Sequence, residues 1–160
     1  MTSDELERRT ANDELERRTA SDEPFVAASE ADTIAAGRVL GARIAPGTTV
    51  LLYGHLGAGK TAFVRGLAEG LGLDPADVSS PTFTIVQEYR GPQATLQHVD
   101  LYRLTPREIT DLALEDLMEP RTVMAIEWAE RLPELPPGPV VDVRLEHVPG
   151  GRRITLNWPS

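Results

Sequence analysis

Thr48-Thr49-Val50-Leu51-Leu52-Tyr53-Gly54-His55-Leu56-Gly57-Ala58-Gly59-Lys60-Thr61-Ala62-Phe63-Val64 is the stretch on which the fold turns. Its first six residues are β-branched or apolar without alternation, as expected of a strand covered on both faces. Two glycines five apart, then Lys60 and Thr61, satisfy the phosphate-loop pattern. Phe63, Val64, Leu67, Ala68 and Leu71 continue at helical spacing until Gly72 and Pro75 stop them. Strand, glycine-rich loop and helix are contiguous, which is the context the pattern requires. Glycines let the backbone curl so that successive N–H groups point inward at the positive end of a helix, where phosphate binds. Lys60 is a flexible point charge for the β- and γ-phosphates, and Thr61 offers Mg²⁺ a small hydroxyl.

Outward from this centre the chain reads as one mixed α/β domain. Phe25 to Ala28 form a short strand, and Ser29 caps a helix to about Ile44. Phe83 to Tyr89 and Thr95 to Val99 flank Arg90-Gly91-Pro92-Gln93 as a hairpin, and residues 106–118 are helix-compatible. Val123 to Ile126 read as a buried strand, and Val140 to His147 with Arg152 to Trp158 as a closing hairpin. The expected fold is a single phosphate-loop NTPase-like α/β domain over residues 24–160, with a mixed central sheet, flanking helices and a C-terminal β-hairpin. Residues 1–23 precede it as an acidic tail built on two copies of a nine-residue repeat, 2–10 and 11–19. Leu6 and Leu15 would fall on opposite faces of a helix, so the tail reads as solvated and disordered.

Composition narrows the chemistry. The chain of 160 residues has no cysteine and three histidines, which excludes disulfides, thiolate metal sites and cysteine nucleophiles. Any metal is therefore expected to be oxygen-bound. The longest apolar runs fall far short of the ~20 residues that span a bilayer, and no secretory signal opens the chain, so the expected setting is cytoplasmic. A net charge of −9 opposes direct binding to DNA or RNA. Fifteen arginines accompany one lysine, Lys60, so an Asn-Lys-x-Asp guanine-reading motif is impossible and adenine is the default base. Mg²⁺ usually needs carboxylates near the phosphates, and the carboxyl ends of strands supply Asp100 and Glu127. From spacing alone, each reads equally as a metal- or water-positioning group or as a solvated strand end. His55 and His98 read as structural or surface histidines, and Tyr102 and Trp128 as core aromatics. Ser80-Pro81-Thr82 fits a nucleotide-sensing loop and an ordinary proline turn equally.

The phosphate loop, Ser80-Pro81-Thr82-Phe83, Glu88-Tyr89, His98-Val99-Asp100-Leu101-Tyr102-Arg103-Leu104 and Ile126-Glu127-Trp128 occur in an order and spacing that resembles the bacterial TsaE family over about residues 25–158. The resemblance implies a Mg-dependent ATPase required for threonylcarbamoyladenosine at position 37 of tRNA. It also implies association with TsaD and TsaB, tRNA being reached through those partners, and ATP hydrolysis that resets the complex between turnovers. By position, it implies that His55, Leu56, Gly57, Ala58, Gly59, Lys60, Thr61 and Ala62 cradle the nucleotide. Thr82 would belong to a switch-like loop, and Trp128 would lie close to the nucleotide. Asp100 and Glu127 would serve the metal or attacking water with Lys60 and Thr61, and Tyr102 and Arg103 would help build the nucleotide or partner surface. One position departs from the family pattern: His55 stands where Asp is usual. The competing classes are a small-molecule phosphate-loop kinase and a non-enzymatic ATP switch. Weak turnover is expected of the isolated chain for want of an arginine finger, since Arg103, the best internal candidate, reads more readily as a solvated or structural arginine.

Overall fold

The computed structural model describes residues 2–19, 23–55, 57–78 and 85–158. In chain order the elements are α1 (Ser3–Thr19), β1 (Phe25–Ala27), α2 (Glu30–Arg43), β2 (Thr49–Tyr53), α3 (Lys60–Gly70), β3 (Val86–Arg90), β4 (Thr95–Asp100), α4 (Pro106–Asp111), β5 (Thr122–Glu127), β6 (Val140–Val148) and β7 (Gly151–Asn157). The strands form one sheet in the order β1-β7-β6-β2-β5-β4-β3. β2 lies parallel to both β5 and β6, and β4 parallel to β5. The two hairpins, β3–β4 and β6–β7, are antiparallel, as is β1 against β7. This is the mixed sheet with flanking helices and a closing hairpin that the sequence led us to expect.

Period-two alternation splits the core into two layers. Val50 and Leu52 of β2, Leu96 of β4 and Val123 and Ala125 of β5 pack with α2 and α3. Leu51, Val99, Met124 and Ile126 face the other way, onto Ile109 of α4 and Leu114. The first layer is held at unusually short range by glycines four apart on both helices. A Cβ on Gly66 would come within 1.8 Å of the Ile34 carbonyl oxygen, and one on Gly37 within 2.1 Å of that of Phe63. Gly41 and Gly70 repeat the arrangement one turn along, against Leu67 and Arg38. Backbone thus meets backbone where α2 crosses α3, which fixes α2 beside the head of α3.

Two expectations need correction. The first 23 residues, expected as a disordered tail, are helical over Ser3–Thr19, although the described side chains are solvated as anticipated. The cause is local: Thr2 and Glu5 exchange reciprocal backbone-to-side-chain hydrogen bonds at the start, and Glu14 pairs with Arg18 one turn on at 2.5 Å. The helix-compatible run 106–118 is also broken. Thr105 caps α4 in a capping box with Glu108, and Ala113 then adopts a left-handed conformation (φ 48°) before a 3₁₀ turn over Leu114–Leu117.

Candidate functional site

β2 delivers the chain directly into the loop, and three glycines shape it. Gly57 and Gly59 have φ of 78° and 101°, conformations that residues with a Cβ rarely adopt. Gly54 faces the Leu145 carbonyl oxygen of β6, which a Cβ would approach to 2.7 Å. Gly59 caps α3, so the loop amides and the helix head face the same space. Ala58 and Ala62 are buried in the loop wall, whereas His55 is exposed at its rim. Leu56 lies outside the described residues. The Asp-to-His departure at position 55 therefore falls on the solvent edge of the loop.

Lys60 is 5% exposed. Its ammonium donates to the Gly54 carbonyl and lies 3.6 Å from the centre of the Trp128 ring. Burial pulls its pKa below the ordinary lysine value, and the negative charge of Glu127 opposes that shift. Trp128 sits just past β5 in a left-handed conformation (φ 59°), an uncommon state for a bulky residue that turns its ring over the lysine. The ring also stacks on Tyr102, with centroids 4.8 Å apart. Tyr102, expected in the core, is 46% exposed because β4 ends two residues before it. Arg103 is exposed as well and does not line the cavity beside Lys60. Thr82 and Ser80-Pro81 lie outside the described residues.

The two strand-end acids converge. β4 and β5 run parallel in a register that sets Asp100 opposite Glu127. Alternation aims Leu96, His98 and Asp100 of β4, and Val123, Ala125 and Glu127 of β5, toward α3. Thr61, one residue into α3, lies 3.4 Å from both carboxylate oxygens of Glu127. Glu127 is 3% exposed, so its charge must be met inside the protein. His98 meets it: the fully buried ring places Nε2 2.5 Å from Glu127 Oε2. Asp100 accepts from the Tyr102 backbone N–H at 2.9 Å, yet burial holds its carboxyl above the ordinary aspartate range. The solvated strand-end reading therefore fails outright for Glu127.

Lys60, Thr61, Asp100, Glu127 and Trp128 line one cavity of about 330 Å³. Four further wall residues escaped the sequence reading: Thr33 and Glu30 from α2, Arg65 from α3, and Arg152 from β7. Arg152 donates from Nη2 to the Gly57 carbonyl at 3.1 Å. No local motif marks it, since it reaches the loop only through the pairing of β7 with β6. His98 carried a signal, two residues before Asp100 on one strand face. The donor set suits Mg²⁺: hydroxyl and carboxylate oxygens are hard ligands, and Mg²⁺ characteristically takes one or two carboxylates plus phosphate and water. Among the described residues no group of three or more acids, histidines or cysteines forms a self-sufficient metal cage.

Among the described residues no helix is long and apolar enough to cross a membrane. A family model described as "Threonylcarbamoyl adenosine biosynthesis protein TsaE" matches residues 27–154. The chain is 40% identical over 129 residues to a tRNA threonylcarbamoyladenosine biosynthesis protein TsaE of Treponema pallidum, covering 80% of this chain and 94% of that one. The TsaE of Synechocystis is 47% identical over 104 residues, 62% of this chain, and the match spans 66% of its own length. A crystal structure of YdiB from Bacillus subtilis superposes with a TM-score of 0.70 at 29% identity, covering 86% of each chain. With the loop and the paired strand-end acids inside the matched span, the chain belongs to the TsaE family of threonylcarbamoyladenosine biosynthesis proteins.

Proposed function

We propose that this protein is a Mg-dependent ATPase that acts with TsaD and TsaB in threonylcarbamoyladenosine modification of tRNA, its hydrolysis resetting that assembly between turnovers. The observation that carries the ATPase reading is the convergence of Lys60, Thr61, Asp100 and Glu127 on one cavity at the head of α3. Family membership supplies the pathway.

In this reading the loop amides and the α3 terminus hold the phosphate chain, and the Lys60 ammonium exchanges the Gly54 carbonyl for phosphate oxygens. Trp128, now over that ammonium, must yield part of its contact as the lysine turns. Thr61, Asp100 and Glu127 would hold Mg²⁺, which supplies neutralisation of the phosphate charge. Glu127 orients the attacking water through a carboxylate oxygen, while His98 fixes the other. Lys60 and the loop amides stabilise the charge that gathers on the departing β-phosphate. The acidity of the chain supports tRNA contact through the partners, because −9 opposes a polyanion.

The test is multiple-turnover tRNA modification by purified protein with TsaB, TsaD, ATP and Mg²⁺, alongside Lys60→Ala and Glu127→Gln. The wild type should sustain many cycles, Lys60→Ala should bind nucleotide poorly, and Glu127→Gln should bind but stall after the first cycle. Full modification by Glu127→Gln without hydrolysis would point to the switch class, and phosphate transfer to a metabolite to the kinase class.

A further inference from the structure

Arg152 is placed for more than bracing a loop. It stands at the start of β7, opposite His147 of β6 and Ala27 of β1, so both neighbouring strands fix its backbone. From there the side chain crosses the glycine loop: its Cδ and Nε lie 3.0 and 3.2 Å from the point a Cβ on Gly59 would occupy. A Cβ at Gly59 would crowd that passage and push the side chain aside by a few tenths of an ångström. One donor, Nη2, is spent on the Gly57 carbonyl. Nε is buried and has no hydrogen-bond partner among the described residues, an arrangement that native structures seldom tolerate. Its guanidinium carries a permanent charge and forms part of the same cavity wall as Lys60 and Thr61. The group that best satisfies an arginine with donors to spare at a cradle of N–H groups is an anionic oxygen, and phosphate matches its fork.

We propose that Arg152 contacts the phosphate chain of the bound nucleotide, serving as the internal arginine of this site in place of Arg103. The inference rests on the nucleotide-binding reading above and adds a residue to it. Gly59 then has two duties: the left-handed turn that starts α3, and the gap through which the guanidinium reaches the ligand.

The experiment separates charge from bracing. Glutamine at 152 removes the charge and, two bonds shorter than the Nη2 it replaces, also releases the Gly57 carbonyl, a loss of bracing that the thermal midpoint reads, whereas lysine keeps the charge without the fork. Mg-ATP binding is measured by calorimetry for the wild type, Arg152→Gln and Arg152→Lys, with the thermal midpoint of each recorded. A charge-assisted contact predicts that Arg152→Gln binds about tenfold to a hundredfold more weakly, and that Arg152→Lys recovers part of the loss. Binding by Arg152→Gln within twofold of wild type, or equal losses in both variants, overturns the proposal. Should either variant fold poorly, modification of wild-type Arg152 by phenylglyoxal decides the matter: saturating Mg-ATP should shield it, and unchanged labelling rejects the contact. A wild type that takes up no Mg-ATP sinks the ATPase reading and this proposal together; wild-type binding with an indifferent glutamine sinks this proposal alone.

Discussion

At the scale of single residues the site is a balance between burial and charge, and Asp100 shows its cost. Its carboxyl is held above the ordinary value of 3.8, chiefly by burial and then, against the help of the Tyr102 amide, by the charge of Glu127. With a folded pKa above the unfolded one, the native state binds the extra proton in the window just above 3.8, so this group lowers stability as pH rises through it. Asp100→Asn keeps an oxygen for Tyr102 and removes the charge. The variant is expected to be more stable than wild type at pH 7 in thermal melts without nucleotide, by less than about 1 kcal/mol because water screens a half-buried group. That advantage should vanish below 3.8, while Mg-dependent hydrolysis is lost at every pH. His98 has the opposite sign. It supplies the buried hydrogen bond of Glu127, so His98→Ala should cost about 1.5–3 kcal/mol or more in chemical denaturation, the range for a bond to a charged partner. An unchanged midpoint would mean that water replaces the ring. Lys60 and Thr61 were legible in sequence because loop chemistry is local, whereas the His98–Glu127 contact was not. It joins positions 29 apart and exists only because β4 and β5 pair in parallel at one register.

At the scale of elements, the position of α2 decides whether the loop has a wall. Gly37 and Gly41 on α2 interlock with Gly66 and Gly70 on α3, and Thr33, one turn before Gly37, reaches the Gly59 corner of the cavity. Gly66→Ala would gain about 1 kcal/mol of helix propensity and place a methyl 1.8 Å from the Ile34 carbonyl oxygen. The clash prevails, because two backbones must separate. The expected net loss is at the upper end of about 1–3 kcal/mol by urea denaturation, with weaker nucleotide binding as Thr33 withdraws. Gly47→Ala, where a Cβ meets nothing within 4 Å but φ is 88°, is the control that isolates backbone strain from packing. Both glycine pairs were visible in the sequence as spacings of four. Their meaning was hidden, since a small-residue stripe says nothing about which helix will face it. The break at Ala113 was equally silent. No glycine or proline marks it, and a left-handed alanine is a choice made by the packing of Ile109 and Leu114 on the sheet. Ala113→Gly should therefore stabilise the protein by about 0.5–1 kcal/mol, the strain relieved being partly offset by a freer unfolded chain.

At the scale of the whole molecule, the sheet brings together residues far apart in the chain. β2 sits at the centre with β5 on one side and β6 on the other, so acids arrive from the β5 flank and Arg152 from the β6–β7 flank. The fold class was legible because every strand of the sheet and the two helices packed on the phosphate-loop side announce themselves locally. The Arg152 side of the cavity was not, because it depends on a strand order that local patterns leave open. The helix α1 stands outside this logic. Its described side chains are exposed, and its two repeats carry acids and bases on every side rather than an apolar stripe. The first 23 residues hold eight acids and four bases, so −4 of the net −9 resides there. Their field could disfavour nucleotide, but at 0.15 M salt the screening length is about 8 Å and little of that charge is felt in the cavity. Removal of residues 2–22 should therefore leave stability within about 0.5 kcal/mol, the usual range for surface changes. Mg-ATP affinity should stay within about twofold of wild type at physiological salt and diverge only at low ionic strength, with tighter binding by the truncated chain. Calorimetry across a salt series on both forms reads this directly. Weaker binding after truncation at every salt concentration would show that α1 supports the fold of the site through α2, against the charge argument.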